Sequence, residues 1–180
     1  MRIHGSRAAL ETRALSTKLL EIYAVDWTNW TPKDVATLLF IIEGGRILLI
    51  EKKRGLGAGK VNAPGGRLEP NESAFEAAVR ELKEEIGVEA TNVRELGQVS
   101  FHFLDGYTLH CHVFRADTCV GTPIETDEAN PFWVPLAEIP YERMWADDAT
   151  WLPHLIADRK FRGRYTFDGD TMLTRDVELL

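Results

Sequence analysis

Three glutamates crowd one flank of a single predicted helix. In GRLEPNESAFEAAVRELKEEIGV, from Gly66 to Val88, a turn of roughly 100° per residue sets Glu81, Glu84 and Glu85 side by side. Glu81 and Glu85 stand i,i+4, the spacing at which like charges repel. Two readings compete. One is a solvated acidic face, the common lot of charged helices. The other is a site for a hard, oxygen-seeking cation. Mg²⁺ takes one or two carboxylates, keeps several waters and turns its remaining positions to substrate phosphates.

The helix that must carry these groups has readable ends. Asn71 can cap its start, Glu72 and Glu76 suit the positive end of its dipole, and Gly87 suits its C-terminal stop. Phe75, Ala78, Val79, Leu82 and Ile86 recur at helical spacing and form a core-facing stripe. Before it lies KKRGLGAGKVNAPGG, from Lys52 to Gly66. A Walker A loop would need Gly in place of Arg54 and Ser or Thr in place of Val61, and a GxGxxG pattern from Gly55 meets Lys60 where its third Gly should be. The stretch reads as a flexible loop whose Lys52, Lys53, Arg54 and Lys60 can attract phosphates.

Strands frame the rest. Thr37 to Ile42 and Arg46 to Glu51 are nearly continuously apolar, which predicts a hairpin covered on both faces. Val99 to Phe103 and Tyr107 to Arg115 alternate. Phe101, Phe103, Leu109, Cys111 and Val113 share a face able to line a pocket for a flat ring. Ser100, His102, His110 and His112 share the other, where half-exposed imidazoles are favoured over a zinc site. Residues 123–130 are a polar loop with Glu125, Asp127 and Glu128. In Met144-Trp145-Ala146-Asp147-Asp148, one Asp can cap a helix carrying Trp151, Leu155 and Ile156, which leaves the second unexplained. A hairpin around Asp168-Gly169 closes the chain. Ahead of all this, residues 1–34 read as an N-terminal extension, with a short helix suggested by Leu15, Leu19 and Ile22 and an irregular connector at Trp27 and Trp30. Residues 35–180 read as one domain.

Composition bounds the function. A chain of 180 residues with formal charge −7 can bury a real core, but its surface does not suit duplex nucleic acid. A small phosphorylated substrate remains compatible, since a metal and a few basic groups reverse the field locally. No apolar run is long enough to span a membrane, and no signal peptide is expected. Cys111 and Cys119, the only cysteines, form no disulfide framework, as suits a reducing cytoplasm.

Gly66, Glu72, Arg80-Glu81-Leu82, Glu84-Glu85 and Gly87 match the Nudix-box signature at its fixed positions. From about Ala36 onward, KKRGLGAGKVN, GTPIETDE, MWADDATW and FDGDT resemble the 8-oxo-dGTP diphosphatase branch of that family, the oxidised purine nucleoside triphosphatases. The resemblance implies an α+β Nudix fold, a mixed β-sheet sandwiched between α-helices. It implies Mg²⁺, with Mn²⁺ as the alternative, on Glu81, Glu84, Glu85, Glu128 and the carbonyl of Gly65. Catalysis falls to Glu85, Glu81 and Glu128, the last as further ligand or general base, with Arg80 orienting the glutamates. The substrate site implied is Thr37, Lys52, Asn62, Gly66, Phe101, Trp145, Asp147 and Asp148. Trp145 offers a stacking face. Two buried neighbouring Asp cannot easily both ionise, so one can donate while the other accepts. Leu56 stands where this branch can carry an aromatic, Leu109 where it can carry Met, and Ala63-Pro64 replaces a Gly-containing pair.

The expected reaction converts an oxidised purine nucleoside triphosphate to monophosphate and pyrophosphate in a cytoplasmic monomer. The rivals are another nucleoside diphosphate derivative as substrate (a methylated or ordinary dNTP, or ADP-ribose) and a catalytically silent nucleotide-binding module.

Overall fold

The computed structural model describes residues 24–180; Leu15, Leu19 and Ile22 lie outside the described residues. The chain divides at Thr31 into two compact units. In the first, the Trp27 and Trp30 rings pack on each other, centroids 5.4 Å apart. The second, Pro32–Leu180, holds all the elements below.

In chain order these are β1 (Asp34–Glu43), β2 (Arg46–Lys52), β3 (Val61–Asn62), α1 (Ala74–Ile86), β4 (Glu89–Thr91), β5 (Arg94–Phe103), β6 (Thr108–Ala116), β7 (Thr118–Val120), β8 (Ala129–Pro135), α2 (Asp148–Ile156), β9 (Phe161–Asp168) and β10 (Thr171–Leu179). The main sheet runs β10-β9-β5-β6-β1-β2-β3, with β8 on the other edge of β2. It is mixed: β1 pairs parallel to β6 and β5 parallel to β9, while the remaining pairs are antiparallel. A small ladder joins β4 to β7.

The apolar runs of β1 and β2 face two cores at once. Leu39, Ile41, Leu48 and Ile50 pack with Ala78, Leu82 and Ile86 of α1. Phe40, Ile42, Ile47 and Leu49 pack with Trp151, Leu152 and Leu155 of α2. Alternation across a strand therefore splits one run between opposite helices. The β5–β6 hairpin sorts as its alternation predicts, with Val99, Cys111 and Val113 in the α2 core. On its other face His110 Nδ1 meets Ser100 Oγ at 2.9 Å and His112 Nδ1 meets Glu95 at 2.8 Å.

Two helix starts differ from expectation. Asn71 does not cap α1; it turns the chain with φ 67°. The cap is Ser73, in a reciprocal box with Glu76. The box satisfies two N–H groups at once, which one Asn side chain cannot. Phe75, expected in the core stripe, is half exposed and meets only the edge of Phe114. In α2, neither Asp147 nor Asp148 caps the helix with its side chain. Their carboxylates are engaged elsewhere.

Candidate active site

At the carboxylate end, α1 and the Gly65-Gly66 turn are pressed together. A Cβ on Gly65 would stand 2.0 Å from the carbonyl oxygen of Thr37, and one on Gly66 would stand 2.2 Å from Oε1 of Glu81. At Gly65 the neighbour is backbone, so only glycine permits the approach; at Gly66 a side chain would displace the Glu81 carboxylate. Glu85 is 1% exposed. Its Oε2 accepts from Gly65 N–H at 2.9 Å and its Oε1 lies 3.2 Å from Lys52 Nζ. Burial raises its pKa against the pull of Lys52 and that N–H. Arg80 answers the crowding of the other acids. It reaches Glu72 at 2.7 Å, Glu81 at 2.9 Å and Glu84 at 3.1 Å, and donates to the Arg67 carbonyl at 3.2 Å. Hydrogen bonding to Arg80 holds the Glu72 carboxyl well below its usual value. The chain's own cations thus offset much of the repulsion that the i,i+4 spacing implies.

At the other end, Asp147 and Asp148 are 1% and 2% exposed. Asp147 Oδ2 accepts from Trp151 Nε1 at 2.8 Å, and Asp148 Oδ2 accepts from Trp145 N–H at 3.0 Å. Burial pushes Asp147 up to about 6, against the Trp151 bond. Burial and then the Asp147 charge push Asp148 well above the usual carboxylate range. Asp147 Oδ1 and Thr37 Oγ1 are buried without a hydrogen-bond partner among the described residues. Such atoms are costly unless something completes them. Phe101 stacks on Tyr165, centroids 5.6 Å apart. Asn62 accepts from Ala63 N–H through Oδ1.

One cleft of about 360 Å³ joins the two ends. Glu81, Glu85, Glu128, Gly65, Gly66 and Lys52 line it, and so do Thr37, Asn62, Phe101, Trp145, Asp147 and Asp148. Two of the predicted residues fall outside the lining. Arg80 works from behind the acids, and Glu84 is 59% exposed against Arg80. Glu128 pairs with Arg54. Of the other basic loop residues, Lys53 bonds Glu125 and the Thr126 carbonyl, and Lys60 bonds Asp170. Sequence reasoning missed Arg67 and Tyr107, which also line the cleft and converge on Asp34 at 3.2 and 2.9 Å. The adjacency of Arg67 to Gly66 was the available signal.

Among the described residues no three Asp, Glu, His or Cys side chains form a ready metal cage. Gly65, Glu81 and Glu85 nevertheless all line the cleft, and Lys52 Nζ, 3.2 Å from Glu85 Oε1 and 3.5 Å from the Gly65 carbonyl, shows that these two oxygens can share one cation. Two carboxylates and a carbonyl fit a hard cation that keeps waters and shares substrate oxygens.

Comparison with known proteins agrees with this geometry. The NUDIX domain pattern matches residues 32–155. The chain is 39% identical over 138 residues to an oxidized purine nucleoside triphosphate hydrolase of Danio rerio, covering 76% of this chain and 88% of that protein. It is 40% identical over 140 residues to the protein of the same name from Mus musculus, covering 77% and 90%. Among solved structures, a mutator MutT protein from Bacillus halodurans superposes with a TM-score of 0.73 at 26% identity, covering 81% of this chain and 97% of that one. The box residues, the mixed sheet and these likenesses converge, and the chain belongs to the NUDIX domain family.

Proposed function

We propose that this protein hydrolyses oxidised purine nucleoside triphosphates of the 8-oxo-dGTP type to the monophosphate and pyrophosphate. The observation that carries the reading is a single cleft with glutamates at one end and a buried Asp pair beside a Trp at the other. The two named relatives point the same way.

Roles follow from the chemistry of each position. Glu81, Glu85 and the Gly65 carbonyl would hold Mg²⁺, with Mn²⁺ as the alternative and Glu128 as a further ligand. The ion would supply charge neutralisation at the phosphates and a more acidic water. Lys52 and Arg54, both in the lining, suit the phosphate chain. Glu128, at the same end, suits the acceptance of a proton from water. Arg80 orients Glu81 and Glu84, the outlying member of the set. The base is read by Thr37, Asn62, Asp147 and Asp148 between Phe101 and Trp145. An 8-oxo purine differs from its parent by a carbonyl and an N–H at one edge. A site with buried donors and acceptors for that edge leaves them unpaired with the parent.

The site is complete within one chain, so a monomer suffices. The intact set of Glu81, Glu84 and Glu85, crowded on one helix flank, favours an enzyme over a silent module. The test is pyrophosphate release over a panel of normal, oxidised and methylated nucleoside triphosphates plus ADP-ribose, with Mg²⁺. Oxidised purines should have the highest kcat/KM; if ADP-ribose or a normal dNTP leads, the substrate reading falls. Glu85→Gln should lose at least about 100-fold in kcat while keeping the fold. Asp148→Asn should lose discrimination against dGTP; full discrimination in that variant would remove the proton-sharing role of the pair.

A further inference from the structure

Lys60 stands apart from the site described so far. It does not line the cleft, whereas Trp145 does. Its Nζ nevertheless lies 4.8 Å from the centroid of the Trp145 ring, and 3.0 Å from Oδ2 of Asp170 beside the β9–β10 turn. Loop hydrogen bonds carry it there. Lys60 N–H donates to the Gly57 carbonyl at 2.9 Å, and Lys52 N–H donates to the Lys60 carbonyl at 3.0 Å. Gly57, at φ 81°, completes the contact, since a Cβ there would stand 3.0 Å from Trp145 Nε1. Phe167 and Phe103 meet the same ring edge to face, with centroids 5.7 and 6.4 Å away. Loop, turn and aromatic neighbours thus hold an indole that also lines the cleft.

An ammonium over an indole face is attracted by the ring's negative quadrupole. It draws π density toward itself and leaves the opposite face poorer. Two electron-rich rings stack badly face to face because their quadrupoles repel. A carbonyl at C8 makes a purine more electron-rich than its parent. We propose that Lys60, held by Asp170 against Trp145, is a specificity-determining positioning residue: it fixes the indole and, by drawing on its π density, makes the ring a better stacking partner for an electron-rich purine. This rests on the oxidised-purine reading above. It gives Lys60 a role beside the base, distinct from the attraction of phosphates.

Three substitutions separate the roles. Lys60→Met keeps the stem and deletes the charge, Lys60→Arg keeps a cation able to lie on the ring, and Asp170→Asn releases the ammonium. Dissociation constants for 8-oxo-dGMP and dGMP are measured by calorimetry in EDTA, so that no turnover intervenes. Lys60→Met should weaken 8-oxo-dGMP about five-fold and dGMP at most about two-fold, within the range of a partly desolvated cation–π contact. Lys60→Arg should stay near wild type and Asp170→Asn should fall between. In turnover, Lys60→Met should raise KM for 8-oxo-dGTP while kcat holds. Equal weakening of both nucleotides would reduce Lys60 to a structural brace, and unchanged binding would leave it no role; either result overturns the proposal. Wild-type protein with no preference for 8-oxo-dGMP would overturn the substrate reading as well. A wild-type preference that Lys60→Met leaves undiminished overturns this proposal alone.

Discussion

A carboxyl buried to 1 or 2% exposure must find donors or keep its proton, and Asp147 and Asp148 do some of each. Both have folded-state pKa values above the usual 3.8. The folded state therefore binds more protons than the unfolded state above that value. Stability then falls as pH rises from about 3.8 through about 6 for Asp147, and further for Asp148. Asp148→Asn keeps an oxygen for Trp145 N–H and removes the titration. It should raise the unfolding free energy by about 1–3 kcal/mol at pH 8 and leave it little changed near pH 4, as read from urea midpoints. A variant no more stable than wild type at pH 8 would mean the pair is not strained by burial. At this scale the sequence marked the Asp pair as unusual but suggested a helix cap. The partners that claim the carboxylates are Trp151 Nε1 and the Trp145 N–H, and helical periodicity says nothing of where an indole N–H points. Lys60 was legible as a cation, but its link to Asp170 depends on how distant segments meet.

Among the elements, α1 is the one whose placement matters most. Its capping box ties Ser73 to Glu76, one turn before Arg80 fans out to three glutamates. Ser73→Ala should cost about 1 kcal/mol of stability. Asn71→Gly should cost nothing, because φ 67° is a conformation glycine adopts freely. Chemical denaturation of the two variants checks which residue caps the helix. Gly66→Ala should do more, since its methyl would overlap the Glu81 carboxyl; we expect Mg²⁺-dependent turnover to fall at least about ten-fold. The sequence showed helix, stop and acidic flank correctly, because all three are local. The sequence reading names Asn71 alone as the cap; the Ser73-x-x-Glu76 spacing is the stronger local signal, and it is the one the structure uses. The two-sided burial of β1 and β2 was legible from their unbroken apolar runs. Nothing local distinguishes Phe75 from a core residue; the sheet simply offers it only the edge of Phe114.

For the whole molecule, a formal charge of −7 and a carboxylate-lined cleft predict that a divalent cation stabilises the fold. Mg²⁺ at about 100 times its dissociation constant should add about 2.7 kcal/mol. EDTA should reverse the rise in Tm, and Glu85→Gln should abolish it. No rise in the wild type would argue against a site at Glu81 and Glu85. The cleft's membership was the least legible feature, since its lining comes from β1, the Lys52–Gly66 loop, α1, the β5–β6 hairpin and α2. Motif resemblance supplied what periodicity could not. The division of β1 and β2 between two cores has a further, evolutionary consequence. From Leu39 onward, alternate residues belong to the α1 cluster or to the α2 cluster, so the two cores share backbone but no buried side chain. Descendants can drift on one face while the other stays still. Compensating changes should therefore pair Leu39 or Ile41 with α1, and Phe40 or Ile42 with α2, and rarely cross the sheet.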